Sequence, residues 1–162
     1  MSAAGMQIRL ARAADLDAVV RLERAAAEAP HWAEVEYAAM LVAGMDALRR
    51  CLFVAETERG LVGFAVGKVI GVGTGSSAEL ESVAVDLEAR RGGVGRALCF
   101  AVIGWCREQG AETMELEVRA ASAGAIALYG GLGFIAVGRR RGYYVAPADD
   151  AVLMRLKLAN GG

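Results

Sequence analysis

The sequence predicts a mixed α/β fold, a mostly antiparallel sheet of about six to seven strands with about four helices. Three observations carry this reading. Short β-rich runs alternate with stretches of helical period through the middle of the chain, and the chain closes on two consecutive strand-like segments. The 162 residues, 56% of them hydrophobic, fit one compact domain spanning 1–162 with a single core.

The elements follow in order. Gln7 to Arg12 alternate polar and apolar as a half-buried strand does, and Leu16 to Ala29 follow at helical period. Pro30 stops that helix; His31 to Gly44 restart one, with Trp32, Val35, Met40 and Val42 among its apolar positions. Cys51 to Glu56 and Leu61 to Gly71 are β-rich runs joined by Thr57 to Gly60, a glycine-containing break of turn length, and read as a hairpin. Gly71 to Ser77 is a connection. Glu79 to Asp86 is a strand on which Glu79 and Glu81 share a face. Val94 to Gly110 is a helix closed by glycine, Glu112 to Ala120 a strand, and Ser122 to Phe134 a short helix leading through glycine into the next strand. Gly133 to Val145 and Asp150 to Leu158 are the last two strands, with Pro147 in the loop between them.

Composition excludes several classes of function. Net charge is −1, so no global field draws the chain to nucleic acid or to a membrane surface. Apolar runs are broken by charge every few positions, short of the roughly 20 residues a spanning helix needs. The first twenty residues lack the basic and apolar regions of a secretory signal, which leads to the expectation of a cytoplasmic protein. Cys51, Cys99 and Cys106 are odd in number and form no CxxC pair, so neither a disulfide framework nor a metal site is expected. Cys99 and Cys106, seven apart, read as helix positions facing a core, and His31, the sole histidine, as a surface or capping residue. Arginine is clustered twice, at Arg90, Arg91 and Arg96 and at Arg139 to Arg141; the second run is equally consistent with a solvated turn and with a functional patch.

The most informative stretch is Glu81 to Gly95, where a strand passes through a basic turn into glycines that open an apolar helix. The first turn of a helix has N–H groups without internal partners and a partial positive charge, so it can take up a phosphate. Gly92, Gly93 and Gly95 carry no side chain to hold a pyrophosphate away, Arg91 and Arg96 add charge, and no Ser, Thr, Asp or Asn stands at the expected cap. Neither GxxxxGK[ST] nor GxGxxG is formed, which leaves R-x-x-G-x-G at Arg90 to Gly95.

That segment resembles motif A of the GNAT acetyltransferases, [QR]-x-x-G-x-[GA], preceded by the family's strand ending in Ala-Val. Leu116 to Phe134 resembles the pattern L-E-V-R-x-S-N-x-x-A-x-x-L-Y-x-x-x-G-F of the RimI type, and Tyr143 to Leu158 resembles that type's Y-Y-x-x-P-x-E-D-A-x-x-M-x-L ending. The likeness is close from Glu79 to Leu158 and loose over the first third, where Trp32 follows a Pro-His pair. It departs from the pattern at Ala121 and Ser122, where the family has serine and asparagine, at Arg90 for the commoner glutamine, and at Asp149 for glutamate.

The resemblance implies a GNAT fold with splayed central strands and acetyl-CoA as cosubstrate. Val83, Ala84 and Val85 would offer backbone groups to the pantetheine arm, Arg91, Gly92, Gly93, Val94, Gly95 and Arg96 would hold the pyrophosphate, and Ser122 would stand in the place of the asparagine ligand. Serine is shorter than asparagine and has one hydroxyl where the amide has both donor and acceptor groups. The transfer needs a neutral amine, a site for the developing oxyanion and a proton for the thiolate. An N-terminal amine has a pKa of about 7.7 to 8.0, within reach of a carboxylate acting directly or through one water. Glu117 matches the RimI base and Tyr129 the acid, and a backbone N–H near Val83 to Val85 would meet the oxyanion. Glu79 and Glu81 are rival bases. Tyr143 and Tyr144 would wall an acceptor groove, one of them lining it while the other packs elsewhere, since adjacent strand residues face opposite ways. The implied acceptor is the N-terminal alanine of a ribosomal protein; the alternatives are a small amine, a lysine side chain, or a domain that senses acetyl-CoA without turnover.

Overall fold

The computed structural model describes residues 5–25, 34–41, 47–72, 75–90 and 92–158. His31, Trp32 and Arg91 lie outside the described residues. Strand β1 (Gln7–Leu10) is followed by α1 (Leu16–Ala25) and α2 (Glu34–Ala39), then by the hairpin β2 (Leu48–Thr57) and β3 (Gly60–Ile70). Next come β4 (Ser76–Val85), α3 (Val94–Glu108), β5 (Ala111–Arg119), α4 (Ala123–Gly131), β6 (Ile135–Val145) and β7 (Ala148–Lys157). The seven strands form one sheet in the order β1-β2-β3-β4-β5-β7-β6, antiparallel except where β4 meets β5. That parallel pair requires a crossover, which α3 supplies.

Apolar alternation fixes which face each helix covers. On one face Leu98, Val102 and Cys106 of α3 pack with Val69, Leu80 and Met114. Gly67 lets α3 approach this closely, because a Cβ there would run into Val102. On the other face Val19 of α1 and Tyr37 of α2 cover Leu52, Phe64, Val66 and Ala84. Tyr37 meets Phe64 edge to face at 5.8 Å, and burial and the neighbouring Glu23 carboxylate of α1 raise its phenol above the ordinary value. All three cysteines are buried and free, and burial pushes the Cys51 and Cys99 thiols up to about 12, so they are inert core groups, as the spacing of Cys99 and Cys106 suggested for those two.

Two features of the sheet bear on function. Strands β4 and β5 pair only from Ser76↔Ala111 to Glu79↔Glu115; beyond that point they part, and β4 continues against β3 alone. Within β4 the register steps from Leu80↔Gly67 to Ser82↔Val66, leaving Glu81 as a bulge.

The second arginine run departs from the solvated-turn alternative. It lies inside β6, where Arg139 pairs with Asp150 at 2.8 Å and Arg140 reaches across β7 to Glu117 at 3.6 Å. The register of β6 against β7 then jumps from Arg140↔Ala151 to Tyr144↔Asp149, with Gly142 at φ +61° donating its N–H to Asp150. This bulge breaks strict alternation. Tyr143 hydrogen-bonds Glu117 and Tyr144 lies 4.2 Å from the Arg119 guanidinium, so both tyrosines reach the same face of β5, contrary to the expectation that one would turn away.

Candidate active site

A cavity of about 980 Å³ lies among the end of β4, the start of α3 and α4. One wall is the end of β4 at Val83, Ala84 and Val85; the floor is the first turn of α3 at Gly93, Val94, Gly95 and Arg96. Gly93 caps α3 in the left-handed region at φ +80°, a conformation that glycine adopts without strain, and no side chain caps the helix. The N–H groups of its first turn therefore have no intrahelical partner and present donors and a partial positive charge to an anion. Arg90 borders the same space, its Nε 3.4 Å from the Val85 carbonyl. Backbone donors at the α3 end and an apolar strand wall suit a pyrophosphate carrying an acyl-pantetheine arm.

The opposite wall belongs to α4. Ser122 is its N-cap residue, accepting on its carbonyl from the Ile126 N–H at 3.0 Å, and Ser122, Ala125 and Tyr129 all line the cavity. Their spacing places them on one helix face. Tyr129 is held by an edge-to-face contact with Phe134 at 6.0 Å.

A smaller cleft of about 90 Å³ lies between the parted strands β4 and β5. Glu81, Ser82, Glu117 and Tyr144 border it, and it shares Val83, Ala125 and Tyr129 with the larger cavity. A group entering from the cleft and one lying in the cavity would meet at those three residues.

The candidate carboxylates differ in their surroundings. Glu79 and Glu81 share a face, as expected, and both hold Lys68 at 2.9 and 3.2 Å; Glu81 also receives the Arg50 guanidinium at 2.9 and 3.3 Å. Its oxygens are occupied by two cations. Glu117 is less confined, with the long Arg140 contact and the Tyr143 hydroxyl as partners, and that hydrogen bond raises the Tyr143 phenol above its ordinary value. Sequence reading missed Ser82, Ala125 and Arg140. The periodicity of α4 could have placed Ala125 beside Tyr129, whereas the approach of Arg140 to Glu117 depends on a strand order that no local pattern encodes.

Comparison with known proteins agrees with this architecture. The model of the acetyltransferase (GNAT) family matches residues 16–134, and the chain belongs to that family. It is an acetyl-CoA-dependent N-acetyltransferase. Within the family it is similar to the [ribosomal protein bS18]-alanine N-acetyltransferase of Escherichia coli (strain K12), at 35% identity over 148 residues, 90% of this chain and 93% of that one. The crystal structure of the ribosomal-protein-S18-alanine N-acetyltransferase from Escherichia coli superposes with a TM-score of 0.78 at 32% identity, covering 97% of this chain and 96% of the other. Ard1 from Thermoplasma volcanium superposes with a TM-score of 0.79 at 26% identity over 96% of this chain and 99% of its own. No helix among the described residues is long and apolar enough to cross a membrane.

Proposed function

We propose that this chain, acting as one domain in the cytoplasm, acetylates the α-amine of a protein N-terminus, with alanine first and a ribosomal protein as the natural acceptor. The observation that carries the proposal is the meeting of the cleft and the cavity at Val83, Ala125 and Tyr129, with Glu117 on the acceptor side. The similarity to the Escherichia coli alanine N-acetyltransferase along 90% of the chain supports the choice of acceptor.

Acetyl-CoA supplies an activated acyl thioester. The first turn of α3, with Arg91 and Arg96, would hold its pyrophosphate, and the backbone of Val83 to Val85 its pantetheine arm, with Ser122 at the α4 end. Glu117 takes a proton from the acceptor amine, directly or through one water, and the Tyr129 hydroxyl gives a proton to the departing sulfur. A backbone N–H between Val83 and Val85 steadies the oxyanion. Tyr143 and Tyr144 wall the acceptor groove, where a small first residue brings the amine within reach of Glu117.

The phosphate assignment has its own test. Charge-assisted bonds to phosphate are worth about 1.5 to 3 kcal/mol, so Arg96→Glu is expected to weaken acetyl-CoA binding on the order of tenfold to a hundredfold by calorimetry. Unchanged affinity in the folded variant would remove the assignment. The acceptor is tested by acetyl transfer onto peptides beginning with alanine, compared with N-terminally blocked peptides that carry lysine.

A further inference from the structure

Ser82 lies within the cleft and has no part in the chemistry described above. It is 7% exposed, and among the described residues its hydroxyl has no hydrogen-bond partner. Most buried hydroxyls are paired, and one that is not calls for an explanation.

The bulge at Glu81 explains how this side chain comes to be there. Val66 and Lys68 are two apart on β3 and share a face. Glu81 bonds Lys68, and Ser82 is the cross-strand partner of Val66, so these two consecutive residues of β4 turn to the same side. An unbroken strand would have sent the Ser82 hydroxyl into the core beneath α3. It borders the acceptor cleft instead, together with Glu117 and Tyr129.

We infer that Ser82 Oγ is an acceptor-binding group, receiving a hydrogen bond from the α-amine of the incoming N-terminus. This rests on the N-terminal reading given above. A neutral primary amine has one lone pair and two N–H bonds. With the lone pair turned toward the thioester carbon and one N–H toward Glu117, the second N–H needs an oxygen acceptor. Glu81 is a poor alternative, since Arg50 and Lys68 already hold both its oxygens. The Ser82 hydroxyl can accept without competing for the proton that Glu117 removes.

A group placed for substrate and not for folding has a characteristic signature. Ser82→Ala deletes an unpaired hydroxyl from a buried site, so the melting temperature should hold or rise. With a peptide beginning in alanine, the KM for peptide should rise about three- to tenfold, the net worth of one neutral hydrogen bond. The KM for acetyl-CoA should stay within twofold. A matched peptide beginning with N-methylalanine has one N–H fewer, so with it wild type and Ser82→Ala should perform alike.

Kinetics of Ser82→Ala equal to wild type with the alanine peptide would overturn the inference. So would a fall in melting temperature accompanied by equal losses toward both peptides, which would mark Ser82 as a packing residue. A wild-type enzyme that binds acetyl-CoA but acetylates no peptide α-amine would overturn the N-terminal reading first, and this contact with it.

Discussion

Glu117→Gln is expected to lose about 10²- to 10⁴-fold in kcat, the range a positioned general base contributes, while acetyl-CoA affinity stays at the wild-type value. The two effects separate because Glu117 borders the smaller cleft and is not among the residues lining the larger cavity. Glutamine preserves the shape of the side chain and can still accept from Tyr143. The companion variant is Glu81→Gln. It leaves Arg50 and Lys68 facing a neutral amide on β4, so it should lower the melting temperature more than the rate. If Glu117→Gln kept full rate and Glu81→Gln did not, the base would belong on β4, and the loosely held carboxylate on β5 would be a bystander.

Tyr129→Phe should cost a comparable factor in kcat, about 10²- to 10⁴-fold, through loss of the proton donor alone. The ring is retained, and with it the edge-to-face contact with Phe134, so the variant should fold and bind acetyl-CoA as the wild type does. Calorimetry and a thermal melt run beside the kinetics separate this outcome from a collapse of α4. A Tyr129→Phe enzyme with wild-type turnover would assign the tyrosine to packing and leave the thiolate to take its proton from solvent.

Much of the fold was legible in the sequence because its signals are local. The period of Val94 to Gly110 and the glycine that ends it set α3, and the structure places Gly110 at φ +92°, the left-handed residue that follows a helix end. The hairpin at Thr57 to Gly60 and the two closing strands were equally plain. The glycines before α3 announced an uncapped helix start, and the structure has one at Gly93. Legibility ended where geometry depends on distant strands. The bulge at Glu81 and the slip between Arg140 and Tyr144 are properties of hydrogen-bond register, which the identities of neighbouring residues do not reveal. Each turns a side chain to a face that simple alternation forbids: Ser82 toward the cleft, and Tyr143 with Tyr144 toward β5. The arginine run stayed undecided in the sequence because three consecutive charges often mark solvated chain, yet β7 provides Asp150 for Arg139 and Glu117 lies within reach of Arg140.

The most direct test of an N-terminal acetyltransferase is a peptide that offers both kinds of amine. A peptide beginning with a free alanine and carrying an internal lysine is incubated with acetyl-CoA and the full chain, beside the same peptide with its N-terminus blocked, and the modified atom is located by fragment-ion mass spectrometry. Positioning of the backbone at Tyr143 and Tyr144 should favour the α-amine strongly, since a misplacement of about 1 Å can cost about 10²-fold. An N-terminal assignment predicts acetyl on the alanine nitrogen of the free peptide and none on the lysine of either peptide. Acetyl on lysine in the blocked peptide, at a rate comparable to that of the free one, would contradict it while leaving the family and the fold in place.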